Sequence, residues 1–160
     1  MQLHHKFYPK KLSSFEIRFL KGTEIAKWCR FPNGHNGAVT EELRELELSI
    51  GRGQFRSEEF IVAEREGRFI GRLRARLVDG PAGYLILESP AVHDEFEFIE
   101  VARELVECAL EVARSEAEVK CIRAQLSEKD SHYEELRRLY EHLGFMPKER
   151  GSVLLLHLRH

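Results

Sequence analysis

The sequence predicts a single α+β domain over residues 1–160, with one mixed, mostly antiparallel sheet flanked by helices. Three runs between residues 60 and 92 alternate apolar and polar side chains, which indicates an antiparallel meander. Apolar residues recur at helical spacing in residues 97–114 and 132–143, and a short apolar run lies between these two segments. A β-α-β crossover should therefore add a parallel strand. With 160 residues, 42% hydrophobic and 32% charged, the chain can build one buried core.

The N-terminal part is predicted to hold one strand and two helices. Residues 1–13 are polar and basic, so we expect a loose arm or an additional edge strand there. Residues 15–20 alternate as a strand does, and a short helix should follow Thr23. Thr40 is expected to cap a second helix that ends at Gly51, because its hydroxyl can accept a hydrogen bond from a free N–H of the first turn.

The meander follows these helices. Residues 60–64 and 69–78 flank Glu66-Gly67, a pair suited to a tight hairpin turn, and residues 84–92 should form the third strand.

The C-terminal part is predicted to alternate helices and strands. Residues 97–114 have one apolar and one acidic face, as expected of the longest helix packed on the sheet. Residues 119–126 should form the crossover strand, and residues 145–150 and 153–158 should close the sheet.

The segment around residues 136–145 has the clearest pattern in the chain. Four side chains fall on one helical face: Leu136, Leu139, Tyr140 and Leu143. Ser131 and Glu134 are spaced as a capping box at the helix start. Gly144 can adopt the left-handed conformation that ends a helix, and Phe145 can pack back on the last turn.

This segment also resembles a known family signature. The run Leu139-Tyr140-Glu141-His142-Leu143-Gly144-Phe145 is similar to the C-terminal signature of the GCN5-related N-acetyltransferase (GNAT) superfamily, and the order of elements over residues 15–158 is similar as well. The resemblance implies an acyl-CoA N-acyltransferase-like fold. It also implies transfer of an acetyl or other acyl group from acetyl-CoA, without a metal, to an amine of a small molecule or protein. Tyr140 would then protonate the departing thiolate; the alternative is a core tyrosine with its hydroxyl at the surface.

The resemblance further implies where the cofactor lies. In that superfamily the fourth and fifth strands part, the pantetheine arm pairs with the fourth strand, and the diphosphate rests on the following helix N-terminus. Matched to this chain, the fourth strand provides Ala91, Val92 and His93 by their backbone, and the helix provides Ala102 and Arg103. Arg103 has an alternative interpretation as a surface partner of a neighbouring glutamate.

One part of the sequence departs from the family pattern. The superfamily usually has Arg-Gly-x-Gly-x-Gly or a close relative at the helix start, whereas this chain has residues 97–102, Glu-Phe-Ile-Glu-Val-Ala. Glu97 and Glu100 would repel a diphosphate. The departure supports an alternative function, a binding or regulatory module of the same fold that has lost acetyl-CoA binding.

An amine must lose a proton before it attacks a thioester, and two residues are candidate bases. Glu88 follows an apolar run, where desolvation would make its carboxylate more basic; the alternative is an edge-facing or salt-bridged glutamate. His93 is the second candidate, with a surface-loop histidine as the alternative. Arg72, Arg74 and Arg76 should share one face of their strand, where they could recognise a carboxylate or phosphate or pair with acids of neighbouring strands.

Composition excludes several function classes. The formal net charge is −2, so no bulk field favours nucleic acid or anionic lipid, and no apolar run is long enough to span a membrane. Three cysteines and eight histidines lack metal-ligand spacing. We therefore expect a cytoplasmic protein without a metal, with a homodimer through the final strand left open.

Overall fold

The computed structural model describes residues 10–11, 15–32, 37–78, 83–148 and 152–159. The strands in these ranges are β1 (Lys10–Lys11), β2 (Glu16–Phe19), β3 (Phe60–Arg65), β4 (Arg68–Val78), β5 (Tyr84–Leu87), β6 (Ala91–Val92), β7 (Cys121–Gln125), β8 (Met146–Lys148) and β9 (Val153–His157). The helices are α1 (Ile25–Arg30), α2 (Gly37–Gly51), α3 (Phe98–Arg114) and α4 (Tyr133–His142).

All described strands belong to one sheet in the order β1-β2-β3-β4-β5-β7-β9-β8, and β6 pairs with β4 beside β5. Every pairing is antiparallel except that of β5 with β7, which the α3 crossover makes parallel. The predicted class, a mixed and mostly antiparallel α+β sheet flanked by helices, is confirmed.

The sheet separates two hydrophobic clusters. On one face Leu105 of α3 and Leu139 of α4 are buried in a cluster with Leu85 of β5. On the other face Trp28 of α1 is buried with Phe60 of β3, and their rings meet edge to face with centroids 5.0 Å apart. Helices therefore cover both faces, but α1 and α2 lie over the N-terminal half of the sheet.

Strand β4 joins the two halves of the sheet. Its N-terminal half pairs with β3 and β6, and its C-terminal half pairs with β5. At Gly71 a Cβ atom would lie 2.8 Å from Cγ1 of Val101, so only glycine lets α3 pack this closely on β4. The close approach fixes the start of α3 against the centre of the sheet.

Several local predictions need correction. Helix α2 begins at Gly37, so Thr40 lies within its first turn and does not cap it. The capping box of Ser131 is also wrong: a turn one residue earlier starts α4, where the His132 N–H donates to Asp130 Oδ1 at 2.8 Å. Gly144, with φ of +100°, ends α4 as predicted.

The predicted N-terminal arm is described only in part. Lys10 and Lys11 pair with β2 as a short edge strand, and the remaining residues of 1–13 lie outside the described ranges.

Candidate active site

Two neighbouring strands part at the centre of the sheet. β5 and β7 pair in parallel from Tyr84 and Cys121 to Leu87 and Ala124. Beyond this point β6 follows β4, while β7 stays with β9 as far as Gln125. No described strand pairs with β6 on its β7 side, so a cleft opens between the two halves of the sheet.

A β-bulge produces the parting. The Glu88 N–H donates to the Arg74 carbonyl at 3.0 Å, and three residues later Ala91 pairs with Arg72. β4 advances only two residues over the same distance, so the segment from Glu88 to Ala91 carries one extra residue. The strand predicted over residues 84–92 is interrupted at this bulge and forms β5 and β6. Pro90 lies in the interruption and has no N–H that could pair with β4.

The bulge determines where the backbone groups of Val92 point. The His93 N–H donates to the Ile70 carbonyl at 2.8 Å, and Ala91 pairs with Arg72. Hydrogen-bonded and non-bonded pairs alternate along an antiparallel ladder, so Val92 opposite Gly71 directs its N–H and C=O away from β4. These groups face the cleft.

Tyr140 lies in α4, the helix that follows β7. Its side chain is 0% exposed, and its hydroxyl has no hydrogen-bond partner among the described residues. Burial raises the pKa of the hydroxyl, so it keeps its proton at neutral pH. A fully buried hydroxyl without a partner costs about 1–3 kcal/mol, which a ligand that accepts its hydrogen bond would recover.

The two candidate bases lie before and after strand β6. The Glu88 side chain is 42% exposed on the α1 side of the sheet, with a carboxylate oxygen 4.0 Å from Nε of Arg74. The Glu88 carboxylate is more exposed to solvent than the preceding apolar run predicted, because this face of the sheet is open. His93 follows β6, where its Nδ1 accepts from the Glu95 N–H at 3.3 Å and its Nε2 lies 3.3 Å from an Arg68 nitrogen.

The start of α3 differs from the predicted arrangement for Ala102. Ala102 is fully buried in the hydrophobic cluster, so its side chain packs against the sheet. Arg103 is exposed and makes no ion pair within the described parts of the chain, which removes the alternative of a glutamate partner there.

Arg103 lines a groove between α3 and α4. The groove has a volume of about 310 Å³ and is lined by Ile99, Arg103, Glu135, Arg138, Leu139 and His142. Two guanidinium groups above an apolar floor suit a phosphorylated ligand. Arg138 and His142 were not predicted from the sequence, although their spacing of four residues on the signature helix places them on one face.

The N-terminus of α3 is crowded and acidic. The ring of Phe98 stacks on that of His132 with centroids 3.7 Å apart and an angle of 3° between the planes. Asp94 and Glu95 precede the helix, and Glu100 lies in its first turn. The stack links the two segments that follow the parted strands, the start of α3 and the residue before α4.

Over the described ranges, no group of three or more potential ligand side chains is arranged to hold a metal ion. None of the four described helices is both long and apolar enough to cross a membrane.

The fold has relatives among solved structures. A GNAT-family acetyltransferase of Streptococcus pneumoniae superposes with a TM-score of 0.68 at 14% identity, covering 91% of this chain and 100% of that chain. The ribosomal-protein-S5-alanine acetyltransferase of Vibrio fischeri gives 0.67 at 10% identity, covering 92% and 94%. Naa50 of Arabidopsis thaliana, in complex with the bisubstrate analogue CoA-Ac-MVNAL, gives 0.63 at 12% identity, covering 92% and 99%.

Sequence comparison is consistent with the structural relatives. A search of curated protein sequences found no significant match. The profile of the family described as Acetyltransferase (GNAT) family matches residues 23–145 of the 160, which include the cleft, α3 and α4. On this match and the shared fold, the chain belongs to the GNAT acetyltransferase family.

Proposed function

We propose that the protein transfers an acetyl or other acyl group from acyl-CoA to an amine. The observation that carries this proposal is the cleft beside β6, into which the Val92 N–H points without a strand partner. An extended pantetheine arm can pair with such a free strand edge. The arginines of the groove between α3 and α4, Arg103 and Arg138, would bind the phosphates of the cofactor.

The chemistry needs three groups around the thioester carbonyl. Glu88 or His93 would accept the proton of the acceptor amine before it attacks. The Val92 N–H would stabilise the oxyanion of the tetrahedral intermediate, and the buried hydroxyl of Tyr140 would return a proton to the thiolate of CoA. Acetyl-CoA supplies the activated acyl group. The complex of Naa50 with the bisubstrate analogue CoA-Ac-MVNAL supports an amine acceptor, which we propose to be a small molecule or a protein.

The first experiment measures binding. Acetyl-CoA at 100 times its dissociation constant should stabilise the protein by about 2.7 kcal/mol in thermal unfolding. Absence of any shift at millimolar acetyl-CoA would reject the proposal.

The second experiment tests the backbone donor with a matched pair. Val92→Pro removes the N–H, and proline is tolerated there because this N–H makes no ladder bond. Val92→Ala keeps the N–H and trims a half-buried side chain. We expect turnover to fall by about 10²–10³-fold in Val92→Pro and to change little in Val92→Ala. Equal turnover in both variants would remove Val92 from the mechanism.

A second function is favoured by one specific observation. The acids and the stack of Phe98 on His132 occupy the start of α3, which suits a binding or regulatory module without acyl-CoA. Comparison of the wild type with His132→Ala separates the two functions. If neither protein is stabilised by acetyl-CoA, the binding module is the better description.

The expected cytoplasmic location and the possible homodimer stay predictions.

A further inference from the structure

We propose that the acceptor amine also carries an oxyanion, a carboxylate or phosphate, which Arg76 and Arg123 bind on the open face of the sheet. This inference rests on the proposed function and adds the substrate class. It starts from the three arginines that alternate along β4, Arg72, Arg74 and Arg76, because the proposed chemistry uses none of them.

The strand register places two arginines in one row. Arg76 of β4 pairs with Ile86 of β5, Ile86 pairs with Arg123 of β7, and Arg123 pairs with Leu155 of β9. Paired residues share a face, so Arg76 and Arg123 flank Ile86. Two strand spacings, about 10 Å, separate their Cα atoms, a distance that two arginine side chains can close around one anion.

This face is open within the described ranges. The alternate residues of β4, β5 and β7 are buried against α3 and α4, so the row of Arg76, Ile86 and Arg123 points the opposite way. Ile86 and Leu155 are only half-buried, and Met146 beside Leu155 is 69% exposed. A ligand therefore has access to an apolar surface with a cation on each side of Ile86.

Arg76 and Arg123 differ from the other two arginines on this face, Arg72 and Arg74 of β4. Arg72 donates to the Trp28 carbonyl at 2.6 Å and lies 3.7 Å from Glu42, so it is engaged in the fold. Arg74 lies over the ring of Phe60 and near Glu88. Neither Arg76 nor Arg123 makes an ion pair with a described acid.

The guanidinium of Arg123 is oriented by a neighbouring ring before any anion binds. This group lies over the ring of Tyr84, 5.1 Å from the centroid, which fixes its orientation. Its Nε is buried without a hydrogen-bond partner among the described residues. A guanidinium that is already oriented loses little entropy when its outer nitrogens bind an oxyanion.

The position of the row relates it to the cleft. Glu88 lies on the same face as Ile86, two residues further along the chain and just beyond the end of β5, where the strands part. Two residues of a strand span about 7 Å. An acceptor whose oxyanion sits at the Arg76 and Arg123 row can thus place an amine several bonds away at the cleft.

Four amines of similar length isolate the charge of the far end. We would measure binding by calorimetry and acetyl transfer for 5-aminopentanoate, 4-aminobutylphosphonate, 5-aminopentanol and 1,5-diaminopentane. We expect at least one of the two anionic amines to exceed the alcohol and the diamine by about tenfold in kcat/KM. The better of these two identifies carboxylate or phosphate. Equal values for all four, a preference for the diamine, or no binding of either anionic amine would overturn the inference.

Variants separate ligand binding from folding. Arg123→Gln and Arg76→Gln should raise KM for the preferred anionic amine about tenfold with kcat unchanged, because they remove ground-state contacts. Arg114→Gln at the exposed end of α3 is the matched control and should change nothing. An unchanged KM in both row variants would also refute the anion site. Thermal shifts with acetyl-CoA, recorded in parallel, show separately whether the proposed function fails.

Discussion

Replacement of Tyr140 by phenylalanine should make the protein more stable and less active. The hydroxyl is fully buried and has no partner in the described structure without ligand. Removing a buried polar group that lacks a hydrogen bond recovers about 1–3 kcal/mol of desolvation energy. For a chain of this length, each 1 kcal/mol raises Tm by about 2–4 °C. We therefore expect a Tm gain of several degrees for the ligand-free variant.

The assay compares urea and thermal unfolding of the wild type, Tyr140→Phe and Tyr84→Phe without ligand. Tyr84 is the matched control because its side chain is half-buried at the open face of the sheet. Its change should stay within about 0.5 kcal/mol.

The second half of the prediction concerns activity. If Tyr140 donates the proton to the thiolate, turnover should fall by about 10²–10⁴-fold in Tyr140→Phe. A loss of stability in the ligand-free variant would show that the hydroxyl already has a partner and would refute the energetic argument. Increased stability with unchanged turnover would leave the argument on burial intact and remove the catalytic role.

Three further predictions concern stability and reactivity. Hydrogen bonds from Arg18 hold the pKa of Glu24 at about 2 instead of 4.5, so this pair stabilises the fold above pH 4.5 and loses its effect as the pH falls towards 2. Glu24→Gln should flatten the dependence of unfolding free energy on pH in that window, and equal slopes would contradict the assignment. Gly71→Ala should cost about 1–3 kcal/mol in urea unfolding through overpacking against α3, whereas Gly51→Ala, whose Cβ would meet nothing within 4 Å, should cost far less. All three cysteines are buried, and burial raises the pKa of Cys29 to about 12, so a disulfide reagent should label none in the native protein and three after unfolding; rapid native labelling would contradict this burial.

The sequence predicted the architecture because its signals were local and repetitive. Alternation over residues 60–64 and 69–78 and the turn at Glu66-Gly67 correspond to β3 and β4, which pair as predicted. Gly144 ended α4 because only glycine adopts its φ at no cost. Starts of helices were predicted less well, since a competing turn at Asp130 displaced the capping box expected at Ser131.

The candidate site depended on relations that no short pattern contains. The extra residue between Glu88 and Ala91 is defined only against the partner strand β4. The groove lined by Arg103 and Arg138 joins residues of two helices that are distant in sequence. The stacking of Phe98 on His132 likewise needed the relative position of α3 and α4.

The direction of the Val92 N–H has an evolutionary consequence. A main-chain donor is present in every residue type except proline, so amino-acid substitution rarely removes it. Relatives with 10–14% identity can therefore keep this donor while their side chains diverge. The proposed binding of an anionic amine by the Arg123 side chain has no such protection, so we expect that specificity to diverge faster than the proposed contact of the Val92 N–H with the thioester.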